Sequence, residues 1–297
     1  MTDPGPVTDA ARRGPGANAE LALLLEVAGT PKPGNVDRAR DLAALRFEHF
    51  LAGAVGARPG LERAAAGDPV GDAFETAVAG MSEQSGGNTQ FGCLLLLTPL
   101  VRAAAAEDRA LSPDGVAAVC EGTTVDDAAG FYRAFEHVEV AVADPPEGMD
   151  ALDVRRGADA VPALRDRGTT LFDVMRESAA PVDDRGPPGD ANAREWVAGF
   201  PRTFRGAEAI AADNGPIVDR AARAFLDLLA EAEDTLVRTQ HGSGVAREVR
   251  DRAGEIDSLD GAAEWADELV ERGINPGTTA DITAAALFVA LERGVSV

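Results

Sequence analysis

The sequence contains a single lysine, Lys32, and it stands between two prolines. The prolines restrict the backbone on both sides, so the turn is expected to hold the lysine side chain in a stiff position. An ammonium group held in this way can contact phosphate oxygens as a point charge. A solvated loop lysine is the alternative. Because lysine is missing from the rest of the chain, we favour a functional role for Lys32.

Charged residues flank Lys32 on both sides. Glu26 lies in an apolar helix pattern before it, and is either an exposed helix residue or a carboxylate of the site. Asp37 can cap the next helix, and near Lys32 it can also hold a metal ion bound to phosphates. Arg38 follows Asp37 and is a second candidate for binding phosphate.

Three further polar segments that contain glycine interrupt apolar helix patterns, at residues 85–90, 234–242 and 275–281. Each lies at a predicted helix end, so in a bundle these ends can converge on one pocket with the Lys32 segment. In the first, a Gly-Gly turn before a helix exposes backbone N–H groups, which suits an anion.

The side chains of residues 88–90 have neutral polar chemistry. Thr89 can cap the following helix. Asn88 and Gln90 can orient a substrate, but they cannot transfer protons at neutral pH.

The remaining candidates could equally be structural. Thr278 and Asp281 have the spacing of a capping box, but Asp281 would then face an apolar core and would need a partner or a metal. His241 either compensates a helix dipole or serves in acid–base chemistry. His49 and His137 lie within helix patterns and are expected to be structural.

The elements that position these residues are predicted to be helices. Aromatic residues make up only 5% of the 297 residues, so Ala, Leu and Val must build the core. Small side chains favour closely packed helices over a sheet. The predicted fold is an all-α, single-domain bundle of many helices, with helix-end loops forming the site. Residues 91–106 are apolar all round and should form its central helix.

The predicted boundaries follow from caps, prolines and glycines. Helices are predicted at residues 19–28, 37–55, 71–81, 91–106, after Thr123-Thr124, and at 193–213, 216–238, 261–272 and 278–293. Residues 138–142 are the best strand candidate, and residues 145–192 are expected to form short helices and loops outside the bundle. Residues 1–17 are predicted to be a disordered tail, and residues 18–297 one helical catalytic domain.

The formal net charge of −22 argues against nucleic acid or an anionic membrane as a main partner. Dispersed acidic residues with almost no lysine are typical of adaptation to high salt. The sequence shows neither an apolar signal core nor an apolar run near 20 residues, which predicts a cytoplasmic protein. Cys93 and Cys120 are expected to be buried, reduced thiols. A homo-oligomer is left open.

Taken in chain order, these motifs resemble the triphosphoribosyl-dephospho-CoA synthase family, and the resemblance spans residues 20–293. The segments that carry it are Glu26-Val27, Pro31-Lys32-Pro33-Gly34, Val36-Asp37-Arg38, Gly86-Gly87-Asn88-Thr89, Thr123-Thr124-Val125-Asp126-Asp127, Asp234-Thr235, Asn275-Pro276-Gly277 and Ala280-Asp281. Each segment alone is a weak signal, whereas the ordered set is fairly specific.

The resemblance implies an all-helical fold and a transferase. Members of the family move the 5-triphosphoribosyl group of ATP to 3′-dephospho-CoA and release adenine, which makes a prosthetic-group precursor. The implied substrates are ATP and dephospho-CoA or a similar small acceptor, and the implied cofactor is Mg²⁺ with ATP. Displacement at a ribose anomeric carbon should pass through an oxocarbenium-like transition state that a carboxylate can stabilise.

The resemblance also suggests roles for the candidate residues, although which carboxylate acts as base stays open. The residues expected to serve in catalysis are Glu26, Asp37, Asp127, Asp281 and His241. Those expected to bind substrate are Lys32, Arg38, Asn88, Thr89, Gln90, Asn275 and Thr278. Those expected to hold metal are Asp37, Asp126 and Asp234.

The sequence departs from the family pattern at three places. Gln90 stands where members often carry histidine, and Thr278 replaces a common glycine. Residues 238–242 also differ from the better-known bacterial pattern. Two alternatives therefore remain: a related enzyme that uses another nucleotide or phosphoribosyl acceptor, and a non-catalytic nucleotide-binding protein.

Overall fold

The computed structural model describes residues 13–106, 111–142, 145, 148–181 and 188–297. Within these ranges the chain forms fourteen α-helices and two 3₁₀ segments, and none of these residues lies in a β-strand. The helices are α1 (Pro15–Ala28), α2 (Phe47–Ala66), α3 (Val70–Met81), α4 (Phe91–Ala104), α5 (Pro113–Glu121), α6 (Val125–Ala134), α7 (Val161–Arg167), α8 (Leu171–Ala179), α9 (Ala191–Ala198), α10 (Pro201–Ala212), α11 (Ile217–Glu231), α12 (Thr235–Ala253), α13 (Leu259–Glu271) and α14 (Gly277–Glu292). The 3₁₀ segments are Asp150–Leu152 and Val154–Ala160. The predicted all-α class is confirmed.

Two helices share the centre of the fold. The apolar helix α4 is buried along most of its length and packs against α14, α2 and α3, which confirms its predicted central place. Helix α14 is enclosed to the same degree, because α1, α4, α10 and α11 all pack on it. A helix without a polar face can be accommodated only in this kind of surrounding.

Small side chains set the spacing between neighbouring helices, as the composition predicts. Gly56 of α2 faces Gly80 of α3 so closely that a Cβ on Gly56 would lie 2.2 Å from the Gly80 carbonyl oxygen. A Cβ on Gly80 would lie 2.0 Å from the Gly56 carbonyl oxygen. Larger residues here would push the two axes apart and open the core between them.

The predicted start of the first helix is wrong. Helix α1 begins at Pro15, a residue suited to the first helical position, so residues 15–17 of the predicted tail are helical. Residues 1–12, which the tail prediction also covers, lie outside the described residues. The start of the catalytic domain at residue 18 stays a prediction.

The predicted start of the second helix at Asp37 is also wrong, because residues 31–46 contain no helix and α2 begins at Phe47. Asp37 does not cap a helix. Its carboxylate instead accepts hydrogen bonds from the backbone N–H groups of Lys32 and Ala39, at 3.0 and 2.8 Å, and so closes the loop on itself.

Two predicted long helices are each divided into two. The first breaks between α9 and α10, where Gly199 and Phe200 take the left-handed conformation, with φ angles of 75° and 63°. Phe200 is not a residue that favours this conformation, but the bend buries its ring completely in the core. The second breaks before Asp234, whose carboxylate caps α12 by accepting from the N–H groups of Leu236 and Val237.

Residues 138–142 do not form the predicted strand. A single extended segment needs a neighbour to pair with its backbone groups, and no described residue supplies one. The short helices predicted in the 145–192 region are present as the two 3₁₀ segments, α7 and α8, while residues 143, 144, 146, 147 and 182–187 lie outside the described residues. Among the described helices, none is both long enough and apolar enough to cross a membrane.

Candidate active site

Four helices begin at the wall of one cavity of about 980 Å³. They are α4, α9, α12 and α14, and residues from the first two turns of each line the cavity. The N-terminal end of a helix carries partial positive charge and N–H groups that favour anions. These helix ends supply positive potential at one end of a cavity whose lining also includes seven carboxyl side chains.

Another part of the cavity wall is largely apolar. It is formed by α6, by residues 140–142 and by the 3₁₀ region, and its aromatic side chains are Phe131, Tyr132 and Phe135. The Tyr132 hydroxyl donates to the Leu152 carbonyl oxygen at 2.7 Å, which fixes the ring beside the cavity. The cavity thus combines a polar end with a broad apolar wall, as nucleotide and cofactor sites often do.

Lys32 does not lie at the surface. Its side chain is completely buried, which excludes the solvated-loop alternative. The ammonium group forms an ion pair with Glu26 and donates to Asn35 Oδ1 at 3.0 Å. Asn35 Nδ2 in turn donates to Asn275 Oδ1 at 2.8 Å.

This chain of contacts joins three cavity-lining residues through Lys32, which does not line the cavity itself. Glu26, Asn35 and Asn275 line the cavity, whereas Lys32 is not among the lining residues. Burial raises the pKa of the Glu26 carboxyl, and the adjacent Lys32 ammonium opposes that shift. The predicted contact between Lys32 and phosphate stays a prediction, and in this arrangement Lys32 acts on the cavity through Glu26 and Asn35.

A close approach between two loops makes this chain of contacts possible. Gly34 has a φ of 77°, and a Cβ there would lie 2.2 Å from the Ile274 carbonyl oxygen and 2.9 Å from Pro276 Cδ. Only glycine fits both the backbone angle and the space. The loop after α1 consequently packs directly on the turn before α14, which brings Asn35 to Asn275.

Asp281 is the second carboxylate at the polar end of the cavity, and its partners come from two other helices. Cys93 Sγ on α4 donates to Asp281 Oδ1 at 3.2 Å, and Asn192 Nδ2 on α9 donates to Asp281 Oδ2 at 2.8 Å. The partner that Asp281 was predicted to need is therefore supplied by protein groups.

The surroundings of Asp281 disfavour its charged form. Burial raises the pKa of its carboxyl to about 7, and the negative charges of Asp234 and Glu26 contribute in the same direction. Burial also raises the pKa of the Cys93 thiol well above its usual range, so Cys93 is a neutral donor. A carboxylate with a pKa near neutrality can both take up and release a proton at physiological pH.

The packing around Asp281 is tight. A Cβ on Gly92, in the first turn of α4, would lie 2.0 Å from Asp281 Oδ2 and 2.8 Å from Asn192 Nδ2. Glycine at this position leaves the space that the Asp281 carboxylate and the Asn192 amide share.

A hydrogen bond that Pro99 makes available ties α9 to α4 and so positions Asn192. Pro99 in α4 has no N–H to offer the carbonyl group of Leu95, four residues earlier. The indole Nε1–H of Trp196 donates to that carbonyl oxygen instead, at 3.0 Å. The hydrogen bond ties α9 to the central helix, one turn after Asn192.

Asp234 joins the N-termini of two helices and is not free for other partners. Its Oδ2 accepts from both the N–H and the hydroxyl of Thr279 in α14, at 2.7 and 2.8 Å, while Oδ1 caps α12. Burial raises the pKa of this carboxyl, and these hydrogen bonds lower it. Thr278 lines the cavity, and its Oγ1 accepts from the Leu236 N–H at 3.2 Å. The predicted Thr278–Asp281 capping box is wrong, because the N-cap of α14 is Pro276.

The loop before α4 contributes two of its three candidates to the cavity wall. Asn88 and Thr89 line the cavity, and Asn88 Oδ1 accepts from the Phe91 N–H at 3.1 Å. Gln90 is buried away from the cavity, where its Nε2 donates to the Phe50 carbonyl oxygen at 3.2 Å.

Eight of the predicted site residues are not part of the cavity lining, namely Lys32, Asp37, Arg38, Gln90, Asp126, Asp127, Asp234 and His241. Arg38 is exposed, and Asp37 organises its own loop. Asp126 is exposed beside Arg165. His241 stands directly before a break in α12 at Gly242, whose φ is 83°, so it ends the first helical part of α12 as predicted, and its Nε2 is 3.1 Å from the Gly273 carbonyl oxygen.

Asp127 is likewise structural in this arrangement. Its Oδ2 accepts from the N–H and hydroxyl of Thr124 in the capping box of α6, and its Oδ1 accepts from the Gly71 N–H at 2.8 Å. The carboxylate therefore connects α6 to α3, away from the cavity lining.

Comparison with known proteins identifies the family. The sequence model of ATP:dephospho-CoA triphosphoribosyl transferases matches residues 12–296. The chain belongs to this family. It is therefore a triphosphoribosyl-dephospho-CoA synthase-like transferase, as the motifs predict.

A solved structure supports the assignment of the transferase. The crystal structure of an Archaeoglobus fulgidus protein, provisionally named triphosphoribosyl-dephospho-CoA synthase, is similar with a TM-score of 0.65 and 25% sequence identity. The similarity covers 82% of this chain and 99% of that chain. A comparison with curated proteins gave no match.

The three carboxylates predicted to hold Mg²⁺ in this transferase are not grouped together in the structure. Asp37, Asp126 and Asp234 each have separate protein partners, and only Asp234 belongs to the helix ends at the cavity. Across the described residues, no group of three or more His, Cys, Asp or Glu side chains is arranged to hold a metal ion.

The structure adds cavity residues that the sequence motifs did not single out. Two arginines, Arg167 and Arg238, line the cavity and bring positive charge to it. Asn35 lies within the Lys32 segment but had no predicted role. Its position beside Gly34 could have indicated that it lies at a close approach between two loops. Cys93 and Asn192 had no such signal, because their partner Asp281 is distant in the sequence.

Proposed function

We propose that the cavity at the four helix N-termini is where this transferase moves the triphosphoribosyl group of ATP to dephospho-CoA. The observation that carries the proposal is Asp281, a carboxyl group with a pKa of about 7 on the cavity wall. The family establishes the type of reaction, whereas the assignment of the cavity rests on the chemistry of its residues.

The proposed reaction exchanges one bond at the ribose. The C1′–N bond to adenine breaks, a C1′–O bond to a hydroxyl of the acceptor forms, and one proton passes overall from that hydroxyl to the departing base. In this proposal Asp281 accepts the proton of the attacking hydroxyl. Its pKa places it in the ionised state in a large fraction of molecules at neutral pH.

Glu26 has a different role in the proposal. It borders the same cavity, and its charge contributes to the raised pKa of Asp281, so the two carboxyls are close. Lys32, which also donates to Asn35, holds Glu26 in place. A fixed carboxylate can stabilise the positive charge that develops on the ribose in the transition state.

The triphosphate is proposed to bind where the helix N-termini and Arg238 supply positive potential. Arg238 already donates to the Pro188 carbonyl oxygen at 2.6 Å, which holds its guanidinium beside the cavity. The need for Mg²⁺ rests on the chemistry of triphosphates, and we assign no carboxylate of this chain to the ion.

Chromatography of the bases released from ATP tests the proposed function. The protein, in high-salt buffer with Mg²⁺, is given ATP with dephospho-CoA, ATP alone, or ATP with CoA, whose 3′-phosphate alters the acceptor. We expect adenine in amounts that match a new triphosphoribosylated product, only when dephospho-CoA is present. Release of ADP or AMP without adenine would contradict the proposal, and ATP binding without any turnover would favour a non-catalytic protein.

A further inference from the structure

Asn192 carries a buried polar atom without a partner. The side chain lies on the cavity wall in the first turn of α9 and is 6% exposed. Its Nδ2 donates to Asp281 Oδ2, but its Oδ1 is buried and accepts no hydrogen bond from the described residues. Leaving a buried acceptor unpaired is unfavourable, so such atoms in folded proteins call for an explanation.

When Asp281 is ionised, the state in which it can accept a proton, it fixes the orientation of the Asn192 amide. An ionised Asp281 can only accept hydrogen bonds, so the amide must direct its NH₂ group toward Asp281 and its oxygen elsewhere. Rotation of the amide by a half-turn would set Oδ1 against the carboxylate. Because Gly92 packs closely on both groups and Trp196 ties α9 to α4, the pair has little freedom to rearrange.

The free atom is an acceptor, and this restricts what can bind it. Phosphate oxygens are acceptors themselves and would also be repelled by the adjacent Asp281 carboxylate. The complementary groups on a nucleotide are the exocyclic amino group of the base and the hydroxyl groups of the ribose. Both belong to the nucleoside part.

We propose that Asn192 recognises the nucleoside part of the nucleotide substrate, with its Oδ1 accepting a hydrogen bond from an amino or hydroxyl donor. This inference rests on the proposed function, since it takes the cavity to be the nucleotide site. It places the nucleoside beside Asp281, the group that receives the proton, and directs the triphosphate away from that carboxylate. A site built to bind a donor rejects a ligand that lacks it, because the acceptor is then left buried and unpaired.

Binding measurements with nucleotide analogues test the proposal without any need for turnover. Calorimetry in high-salt buffer compares ATP with purine ribonucleoside triphosphate, which lacks the amino group, and with 2′-deoxy-ATP and 3′-deoxy-ATP. We expect the wild-type protein to bind one of these analogues about 10- to 100-fold more weakly than ATP. The analogue that is rejected identifies the donor.

The variant Asn192→Leu keeps the branched shape and the number of heavy atoms but has no acceptor, and it should bind ATP and the rejected analogue with equal affinity. Asn192→Ala, which also lacks the acceptor and is too small to clash with Gly92, serves as the second variant if Asn192→Leu does not fold. A residue that only stabilises the fold would weaken all four ligands alike. Equal binding of all four by the wild-type protein, or full discrimination in the folded variants, would overturn the proposal.

The same set of measurements separates this inference from the proposed function. Selective binding of ATP by the wild-type protein without adenine release would contradict the proposed reaction and leave the recognition role of Asn192 supported. Adenine release without any selectivity that depends on Asn192 would support the proposed reaction and contradict the recognition role of Asn192.

Discussion

The Lys32–Glu26 ion pair shows how burial changes the role that a charged residue can have. The sequence identifies both side chains as candidates, and the structure encloses them so that each is the other's counter-charge. Removing one member of a buried pair leaves an uncompensated charge, which is more costly than removing both.

Substitution of Lys32 should therefore reduce the free energy of unfolding strongly, because Lys32 is the buried partner of Glu26. We expect Lys32→Met to lower the free energy of unfolding by about 3–5 kcal/mol, and we expect the double variant Glu26→Gln/Lys32→Met to recover part of that loss. Chemical denaturation measures the full cycle. Arg38→Met is the control, because Arg38 is exposed in the same loop. Additive losses in the double variant would contradict the buried pair.

Asp281 should make stability depend on pH. Its pKa is raised from 3.8 in the unfolded chain to about 7 in the folded protein, so the folded state keeps its proton longer. The associated stability is present in full below pH 3.8 and is lost as the pH rises through 7. Asn at position 281 does not titrate, so the Asp281→Asn variant does not lose this stability. The free energy of unfolding of Asp281→Asn minus that of wild type should therefore increase by about 1 kcal/mol or more between pH 5.5 and pH 8.5. Urea denaturation at the two pH values measures the difference, and a constant offset would show that the pKa of Asp281 is not raised.

Sequence analysis found the carboxylates of the site but not their arrangement. Glu26 and Asp281 were among the candidates, as were Asp37 and Asp127, which the structure uses to close a loop and to join two helices. In sequence all four are polar residues near helix ends. What distinguishes them is the partner that packing brings to each, and such contacts join residues as far apart as Asn35 and Asn275.

Helix ends are the elements that build the site. The N-termini of α4, α9, α12 and α14 meet at the cavity, and Asp234 holds two of them together through its bonds to α12 and α14. Most helices could be predicted, since their apolar patterns and caps are local. The break at Phe200 could not, because a non-glycine residue takes the left-handed conformation there for the sake of tertiary packing.

A prediction at this scale separates structural from catalytic carboxylates. We expect Asp127→Ala to lower the free energy of unfolding by about 2 kcal/mol, because it removes both the bond from the Thr124 N–H in the capping box of α6 and the bond from the Gly71 N–H. The neighbouring Asp126 is exposed, so Asp126→Ala should change stability by less than about 0.5 kcal/mol. Thermal or chemical unfolding of both variants gives the comparison. An Asp127 variant that is fully stable but inactive would restore the catalytic role expected from sequence.

At the scale of the whole molecule, the dominant feature is the net charge of −22. Repulsion among exposed carboxylates opposes the compact state, and salt screens it, with a Debye length that falls from about 10 Å at 0.1 M to about 3 Å at 1 M. We propose that the protein is adapted to high salt. Its melting temperature should rise steadily with KCl over this range, as measured by calorimetry, and a melting temperature independent of KCl would contradict the proposal.

The charge of the molecule also explains why the cavity needs helix ends. A strongly acidic protein repels a triphosphate, and the positive potential at the site must come from local features such as the four N-termini and the lining arginines. Composition alone predicted the repulsion and the helical class. It could not predict where the helix ends meet, since that depends on the packing of the whole bundle.

The most direct test of this account compares adenine release by three proteins: wild type, Asp281→Asn and the control Asp126→Asn. Each is given ATP and dephospho-CoA in high-salt buffer with Mg²⁺, and ATP affinity is measured in parallel by calorimetry. The account predicts that Asp281→Asn still binds ATP but releases adenine at least about 100-fold more slowly, while the Asp126 variant matches wild type. An Asp281→Asn protein that releases adenine at the wild-type rate would contradict the central claim that Asp281 accepts the proton in this cavity.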